Sequence, residues 1–428
     1  MKIVIINKSD STGGAAVVSR RLMEALRAEG VDARMLVAEK ITDSEYVELA
    51  ASPLNIKFHF LRERLKIFFS NGFNRKTLFK IDTGEVGLPL WKHPLVKEAD
   101  AILLNWINQG LLSLKGVGKV LALGKPVIWT MHDMWNMTGV CHHAGRCSHF
   151  LKNCGDCPLL GRKAGHDDLS KKIHGVKERL YIDGPHRITF VAVSNWLKAK
   201  GEESELLKGQ KIEVIGNAFP IDSDENTPDV KETKVGDKPG VGRIGILFGA
   251  ARLDDPIKGL ETMREVSGII AERYPTMAKN LELRFFGDYK NHDSLEGFGL
   301  PVKYLGVLKG EESIARAYRD SHIVVSASSY ETLPGTLVEA QAYGCIPVAF
   351  NRGGQGDIVE HLSTGYIAAY DEDLGNRAEN LARGILWGAD VVKDEPRFSD
   401  MKEKMHESVM EKFSGKRIAG KYMKLLEF

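Results

Sequence analysis

The stretch SASSYETLPGTLVEAQAYGCIPVAFNRGGQGDIVEH, Ser326 to His361, decides the fold. It leaves an apolar run, HIVVSAS (322–328), and crosses a loop holding Glu331. A helical pattern, GTLVEAQAYG, follows, and then a second apolar run, IPVAF (346–350). Two apolar strands joined by a helix indicate a parallel sheet covered on both faces. Within the helix, Thr336 is expected as N-cap and Glu339 as its capping-box partner. Gly344 is expected to close it. Glu331 and Glu339 are separated by seven residues. Glu331 follows a strand, at the end of the sheet where ligands of parallel α/β folds bind. Glu339 has two open readings: a helix cap, or a carboxylate accepting two hydrogen bonds from a vicinal diol such as a ribose.

The same rhythm continues on both sides of this stretch. Strands are expected at 2–7, 33–38, 101–106, 126–131, 188–193 and 211–216, then at 243–250, 281–287, 302–308, 322–328, 346–350 and 365–370, with helical patterns between most of them. The segment DSDENTPDVKETKVGDKPGVG (222–242) interrupts the rhythm with charge, Pro and Gly, and reads as a linker. The expected organisation is therefore α/β with two doubly wound parallel-sheet domains facing each other across a cleft. The first spans 1–221, the linker 222–242 and the second 243–405. An amphipathic helix over 406–428 is expected to pack back on the first domain.

Composition narrows the function classes. The chain has 428 residues, 43% apolar and 27% charged, with a net charge of +2. That balance argues against a general nucleic-acid binder. No apolar run approaches the roughly 18 residues that span a bilayer, and MKIVIINKSD reads as a first strand instead of a signal peptide. The expectation is a cytoplasmic protein with reduced cysteines, unless a metal holds them.

Two further strand ends carry residue types suited to anions. Gly13 and Gly14 precede a helix, where free N–H groups favour a phosphate. A plain loop-to-helix turn fits the same two glycines. In FGAARLDDPIKGL, Arg252 and Lys258 flank an acidic turn; the pair suits a diphosphate, or local ion pairs with Asp254 and Asp255.

These motifs occur in one order along nearly the whole chain, and together they resemble the retaining glycosyltransferases of family 4, which have the GT-B fold. Glu331 and Glu339 resemble that family's E-x₇-E motif. ARLDDPIKGL, GGQGDIVEH, STGGAA and VAVSNWLK resemble its other segments, and WTMHDMW resembles a subset that builds exopolysaccharides, of the colanic-acid type. The loop Glu331-Thr332-Leu333-Pro334 departs from the frequent Glu-Gly-Phe-Gly, and Pro334 has no N–H to donate. The resemblance implies that Glu339 binds the donor ribose and Glu331 the donor sugar. It implies that Arg252 and Lys258 clamp the diphosphate and that Gly13 and Gly14 lie over the phosphates or acceptor. Gly335 and Thr336 would open the helix toward the donor, and His132 would stand near its sugar. It further implies transfer of a hexose, with retention, from a UDP- or GDP-linked sugar to a glycan or lipid-linked acceptor in surface polysaccharide synthesis, with no cofactor for the transfer step. A GT-B nucleotide-sugar epimerase and a non-catalytic sugar-nucleotide or membrane-binding scaffold are the alternatives.

Two stretches fall outside those motifs. CHHAGRCSHFLKNCGDCPLLG (141–161) places Cys141, Cys147, Cys154 and Cys157 in a polar loop. Structural zinc, free thiols or disulfides, and an iron–sulfur cluster are all open readings. The fifth cysteine, Cys345, reads as a small buried apolar residue. KFHFLRERLKIFFSNGFNRKTLFK (57–80) carries seven cations, one acid and six phenylalanines, a net charge of +6. It suits an anionic membrane surface, peripheral on the inner face, or a covering helix with solvated cations.

Overall fold

The computed structural model describes residues 1–184, 187–220 and 243–426. The expected linker over 222–242 lies outside the described residues. The chain divides into two compact units, Met1–Ala218 with Gly415–Phe428, and Phe219–Ser414.

The first unit is built on a seven-stranded parallel sheet: β1 Lys2–Ser9, β2 Asp32–Glu39, β3 Val47–Leu49, β4 Ala101–Leu104, β5 Val127–Met131, β6 Thr189–Ala192 and β7 Ile212–Val214. The spatial order is β3-β2-β1-β4-β5-β6-β7, so the direction of winding reverses between β1 and β4. Helices α1 (Gly14–Ala28), α2 (Pro53–Ser70), α3 (Pro94–Glu98), α4 (Leu114–Leu121), α5 (Leu169–Ile182) and α6 (Asn195–Glu203) connect the strands. Apolar strands keep both faces buried: Ile3, Ile5, Met35, Leu103 and Ile128 share one core with Leu22 and Leu26 of α1. β3 was not expected from sequence. It is a three-residue strand at the sheet edge, too short to show a pattern.

The second unit has a six-stranded parallel sheet: β8 Ile244–Arg252, β9 Leu281–Asp288, β10 Val302–Tyr304, β11 Ile323–Ser326, β12 Ile346–Phe350 and β13 Tyr366–Ala368. Its order is β10-β9-β8-β11-β12-β13, with the reversal between β8 and β11. Its helices are α7 (Leu260–Arg273), α8 (Pro275–Ala278), α9 (Glu311–Arg319), α10 (Gly335–Ala342), α11 (Gln355–Ile358), α12 (Leu374–Lys393) and α13 (Glu395–Phe413). The last helix, α14 (Gly415–Leu426), belongs to the first unit.

The sequence reading started the returning helix at 406, whereas the structure starts it at Gly415. Phe398, Met401 and Met405 of α13 sit in the second unit's core. Phe413 accepts a backbone hydrogen bond from Phe219 at 2.9 Å and packs edge-on against its ring. The helix breaks at Ser414. Ile418, Ala419 and Tyr422 of α14 then enter the first unit's core, where the Tyr422 hydroxyl meets Thr130 of β5 at 2.9 Å. The sequence reading took this stretch as one amphipathic helix, but the buried positions of α13 and of α14 fall on stripes offset by roughly 110°, which is the mark of the break.

Helix α2 is fixed by charge. Arg64 is buried, and its guanidinium donates to Asp82 at 3.1 Å and to the Leu78 carbonyl at 2.7 Å. Glu63, also fully buried, lies 3.3 Å from the same guanidinium. Asp82 accepts further bonds from the N–H groups of Gln109 and Gly84. Burial alone would raise Asp82, but Glu63, Arg64 and these donors hold it below the ordinary carboxylate range. Burial, and then the neighbouring Asp82, push Glu63 up to about 10, with Arg64 opposing. Two carboxyls share one guanidinium here, and one of them keeps its proton. Lys8 faces the same cluster, its own pKa lowered by burial.

The consequence for stability has a definite sign. Between an ordinary carboxyl value of 4.5 and about 10, folded Glu63 holds a proton that the unfolded chain has lost. Stability contributed by Glu63 therefore falls as pH rises through that window. Glu63→Gln removes the titration and keeps the shape. Urea midpoints of variant and parent are expected to agree near pH 4.5, with the variant increasingly ahead by pH 8. Parallel curves would show that Glu63 is ionised in the folded protein.

Candidate active site

In the second unit three loops leave β8, β11 and β12 on the carboxyl side of the strand-order reversal. The first turns on Gly259, which has φ 81°. A Cβ there would stand 2.2 Å from the Ala327 carbonyl oxygen, so only glycine allows this approach. Asp255 caps the short turn ahead of it by accepting from Ile257 N–H at 3.0 Å. Ile257 in turn accepts from Ser329 N–H at 2.9 Å, stitching the first loop to the second. The Lys258 ammonium is thereby delivered to Glu331 at 2.7 Å. The third loop packs on the same residue: Gly354 N–H donates to the Glu331 carbonyl at 3.0 Å, and a Cβ on Gly353 would clash with that oxygen at 2.0 Å. The Gly-Gly pair is thus a floor for the Glu331 backbone.

Arg252, at the end of β8, is held by its own turn. Its guanidinium forks onto Asp254, at 2.6–2.9 Å. Asp254 also accepts from Lys290 N–H at 3.0 Å. The hydrogen bond to Arg252 is the main reason Asp254 is held below, and Arg252 above, their ordinary values. Of the local ion pairs that the sequence offers for this turn, Arg252–Asp254 is present, whereas Lys258 pairs with Glu331.

The capping-box expectation is corrected. α10 begins at Gly335 with Pro334 as its N-cap residue, and no side chain caps it. Thr336 lies inside the first turn. Glu339 accepts instead from the Tyr318 hydroxyl at 3.0 Å. Tyr318 is buried and stacks on Tyr343 at 5.5 Å with nearly parallel rings. Gly344, with φ 68°, ends α10 as expected, and the next residue, Cys345, is buried against the Tyr318 and Ser321 carbonyls. A Cβ on Gly335 would meet the Phe219 ring at 3.2 Å.

In the first unit, Gly13 and Gly14 are exposed, and both would face open space with a Cβ added. Gly13 has φ 91° and starts α1. His132 follows β5. Its ring is enclosed, and that burial lowers its pKa to about 4 despite Asp133, so it is neutral at pH 7. Asp133 is the centre of the better-defined constellation: it accepts from the Trp106 indole at 2.9 Å, from Trp135 N–H at 2.8 Å, and pairs with His142 Nδ1 at 2.7 Å. Burial would raise Asp133, but His142 and these donors outweigh it and hold it well below the usual range. The sequence reading chose His132 for the cleft role and left His142 among the cysteines. No spacing rule links residues 133 and 142.

All five cysteines are free. Cys141, Cys147, Cys154 and Cys157 come close enough to influence one another's ionisation. Burial pushes Cys141 up to about 12 and Cys154 up to about 11, which keeps them as thiols. Lys177, buried beneath the loop, holds the Trp135 and Thr138 carbonyls and lies 3.5 Å from the centre of the Trp135 ring. Among the described residues no group of three or more His, Cys, Asp or Glu side chains is arranged to hold a metal ion. The four cysteines for which zinc, free thiols or disulfides, and an iron–sulfur cluster are open readings share this one loop.

Comparison with known proteins agrees with this geometry. Residues 244–386 match the family model of the Glycosyl transferases group 1. An uncharacterized glycosyltransferase of Methanocaldococcus jannaschii is 28% identical over 273 residues, 61% of this chain; the match spans 64% of that relative's length. Among solved structures, HepE of Anabaena in complex with UDP superposes with a TM-score of 0.58 at 15% identity, covering 100% of this chain and 99% of that one. Sucrose-phosphate synthase of Thermosynechococcus elongatus gives 0.60 at 15%, covering 99% and 98%. WaaG, a glycosyltransferase involved in lipopolysaccharide biosynthesis, gives 0.61 at 11%, covering 99% of both chains. The fold is thus the GT-B class of two parallel-sheet α/β domains. The family match lies within the second unit.

Gly259→Ala tests the turn that delivers Lys258. It is expected to destabilise the second unit by about 1–3 kcal/mol, through positive φ and backbone collision. Gly356→Ala, where a Cβ meets nothing within 4 Å, is the control. Equal urea midpoints for the two variants would show that the turn relaxes freely.

Proposed function

We propose that this protein transfers a hexose from a UDP- or GDP-linked sugar to a hydroxyl of a glycan acceptor, with retention of anomeric configuration. The observation that carries the reading is the Lys258–Glu331 pair, locked at 2.7 Å by three loops at a switch point of the second sheet. Switch points are where parallel α/β sheets take ligands. The crystal structures of HepE in complex with UDP and with UDP-glucose support the same donor chemistry.

In this reading Lys258 leaves part of its contact with Glu331 to meet the donor diphosphate, and Arg252 shares its fork between Asp254 and a phosphate oxygen. Glu331 then accepts from a sugar hydroxyl, and Glu339, oriented by Tyr318, accepts from the ribose diol. The N–H groups of Gly335 and Thr336 open α10 toward the donor, and Gly13 and Gly14 do the same at α1. His132, neutral, offers a hydrogen bond without charge. The bond between the anomeric carbon and the diphosphate oxygen breaks, and the bond to the acceptor oxygen forms on the same face. The acceptor proton passes to the leaving diphosphate. Cations that stabilise that leaving charge then matter more than any base. The step needs no cofactor. Zinc on Cys141, Cys147, Cys154 and Cys157 would be structural, with proton release on uptake; elemental analysis finding about one zinc per chain supports it and none removes it.

The acceptor is proposed to be lipid-linked, within surface polysaccharide synthesis, with the protein on the cytoplasmic membrane face. Among the described residues no helix is long and apolar enough to cross a membrane. The basic segment 57–80 supports a peripheral position.

Glu339→Gln is expected to weaken donor binding by about 1–3 kcal/mol, and Tyr318→Phe by less. Arg252→Ala and Lys258→Ala are expected to lower kcat more than they raise KM, because the charge they meet develops as the sugar leaves. The measurement is initial-rate kinetics with UDP- and GDP-sugars, with product configuration read by NMR. A loss confined to KM would remove the transition-state role. An inverted product would remove retention. Interconversion of the donor sugar without transfer would indicate an epimerase, and binding without turnover a scaffold.

A further inference from the structure

Helix α2 shows solvent a face that a helix covering a sheet would bury. Leu54, Phe58, Leu61, Leu65 and Phe69 are each at least 47% exposed. They recur at i, i+4, i+7, i+11 and i+15, which places them in one stripe roughly 80° wide. The opposite face carries Glu63, Arg64 and Ile67, all buried. Phe73 lengthens the stripe beyond the helix end. It adopts φ 64°, unusual for a bulky residue, and its ring stands 5.5 Å from that of Phe69 while remaining 59% exposed.

Charge frames this stripe. Lys57 lies along one edge, and Arg62 and Lys66 along the other, all exposed. Arg75 and Lys76 follow in the same exposed segment. Glu63, the one acid of the segment, is buried and contributes no surface charge. The electrostatic account taken from sequence is smaller than its seven cations suggest. Arg64 is spent inside on Asp82, and Lys66 pairs with Glu85 at 2.8 Å. What the structure adds is apolar area.

We propose that α2 lies in the plane of an anionic lipid bilayer, with Phe58, Leu61, Leu65, Phe69 and Phe73 inserted at the acyl boundary and the flanking cations at the head groups. An amphipathic helix with an aromatic and leucine face edged by Lys and Arg is the arrangement that binds an interface. At 18 residues α2 is about 27 Å long, and its charged edges keep it from spanning. A second copy is a poor occupant. Two α2 helices face to face would bring Lys57 and Arg62 against like charges, and no exposed acid on the helix answers them. The inference deepens the membrane reading above, replacing surface attraction by insertion, and is independent of the transfer chemistry.

The test is flotation of the full chain with phosphatidylcholine vesicles, with and without phosphatidylglycerol, at low and high salt. The parent is expected to float with anionic vesicles, less so but still measurably at high salt. The surface triple variant Phe58→Ser, Leu65→Ser, Phe69→Ser is expected to bind at least about tenfold more weakly at either salt, since apolar burial is lost. Lys57→Gln with Arg62→Gln should weaken binding at low salt only, because screening acts within about 10 Å at 0.1 M. UDP binding by the triple variant serves as the folding control. Binding of the triple equal to the parent, or parental binding abolished by salt, overturns insertion. So does a dimer in sedimentation velocity that the triple variant loses, with no flotation in either. Failure of the parent to bind any nucleotide would bear on the proposed transfer and leave the flotation result to stand on its own.

Discussion

The second unit's site depends on one contact, the ion pair between Lys258 and Glu331. Its partners come from loops after β8 and β11, adjacent strands where the order of the sheet reverses. A parallel sheet forces its connections over its faces, and a reversal leaves a gap between them. Bridging that gap requires backbone on backbone. Gly259 passes against Ala327, Ile257 bonds Ser329, and Gly353 passes against Glu331. As a stabilising term the pair is modest, since both groups retain solvent contact. Its value is positional: a cation and a carboxylate are held apart from the core yet at fixed places before any ligand arrives. Arg252 differs. Its partner Asp254 is two residues away, so that pairing is local and easily shared.

The first unit solves the strand-end problem with buried carboxylates. Asp82 and Asp133 each sit below the surface with three or more donors, one centred on Arg64 and the other on His142. Buried charges survive only when paired and hydrogen-bonded, and both aspartates are. Burial keeps His132 neutral, whereas Asp133 gives His142 a fixed orientation by pairing with its Nδ1. Adjacent residues on one turn therefore have different capacities, and only the three-dimensional arrangement separates them.

Sequence showed the sheets because fully buried strands leave short apolar runs such as KIVIIN and IPVAF, bounded by turn residues and alternating with helical patterns. It showed Glu331 and Lys258 as strand-end residues for the same reason. It did not show the N-cap of α10, where Pro334 displaces the apparent Thr336–Glu339 box. With the helix starting two residues earlier than that box requires, Glu339 is its fifth residue, beyond the capping-box position, and accepts from Tyr318 instead. The stretch 406–428 also reads as one amphipathic helix, yet Met405 of α13 and Tyr422 of α14 serve different cores and would stand roughly 100° apart on a single helix. Pairings across many residues, Arg64 with Asp82 or Asp133 with His142, carry no local signature at all.

Arg64 also decides what α2 presents outward. Counting cations treats 62, 64 and 66 as equivalent, but successive helical residues are about 100° apart. Once Glu63 and Arg64 turn inward to Asp82, Leu61, two residues before the buried pair, and Leu65, one after it, turn outward. A helix covering a sheet ordinarily buries its most apolar face. Here a buried charge cluster holds the inner face, and an apolar inner face cannot compete with it without leaving Asp82 unpaired in the interior. The exposed stripe is thus the necessary complement of the ionic network beneath it. Loosening Arg64 would free the helix to roll, and the apolar side chains now facing out would be drawn in.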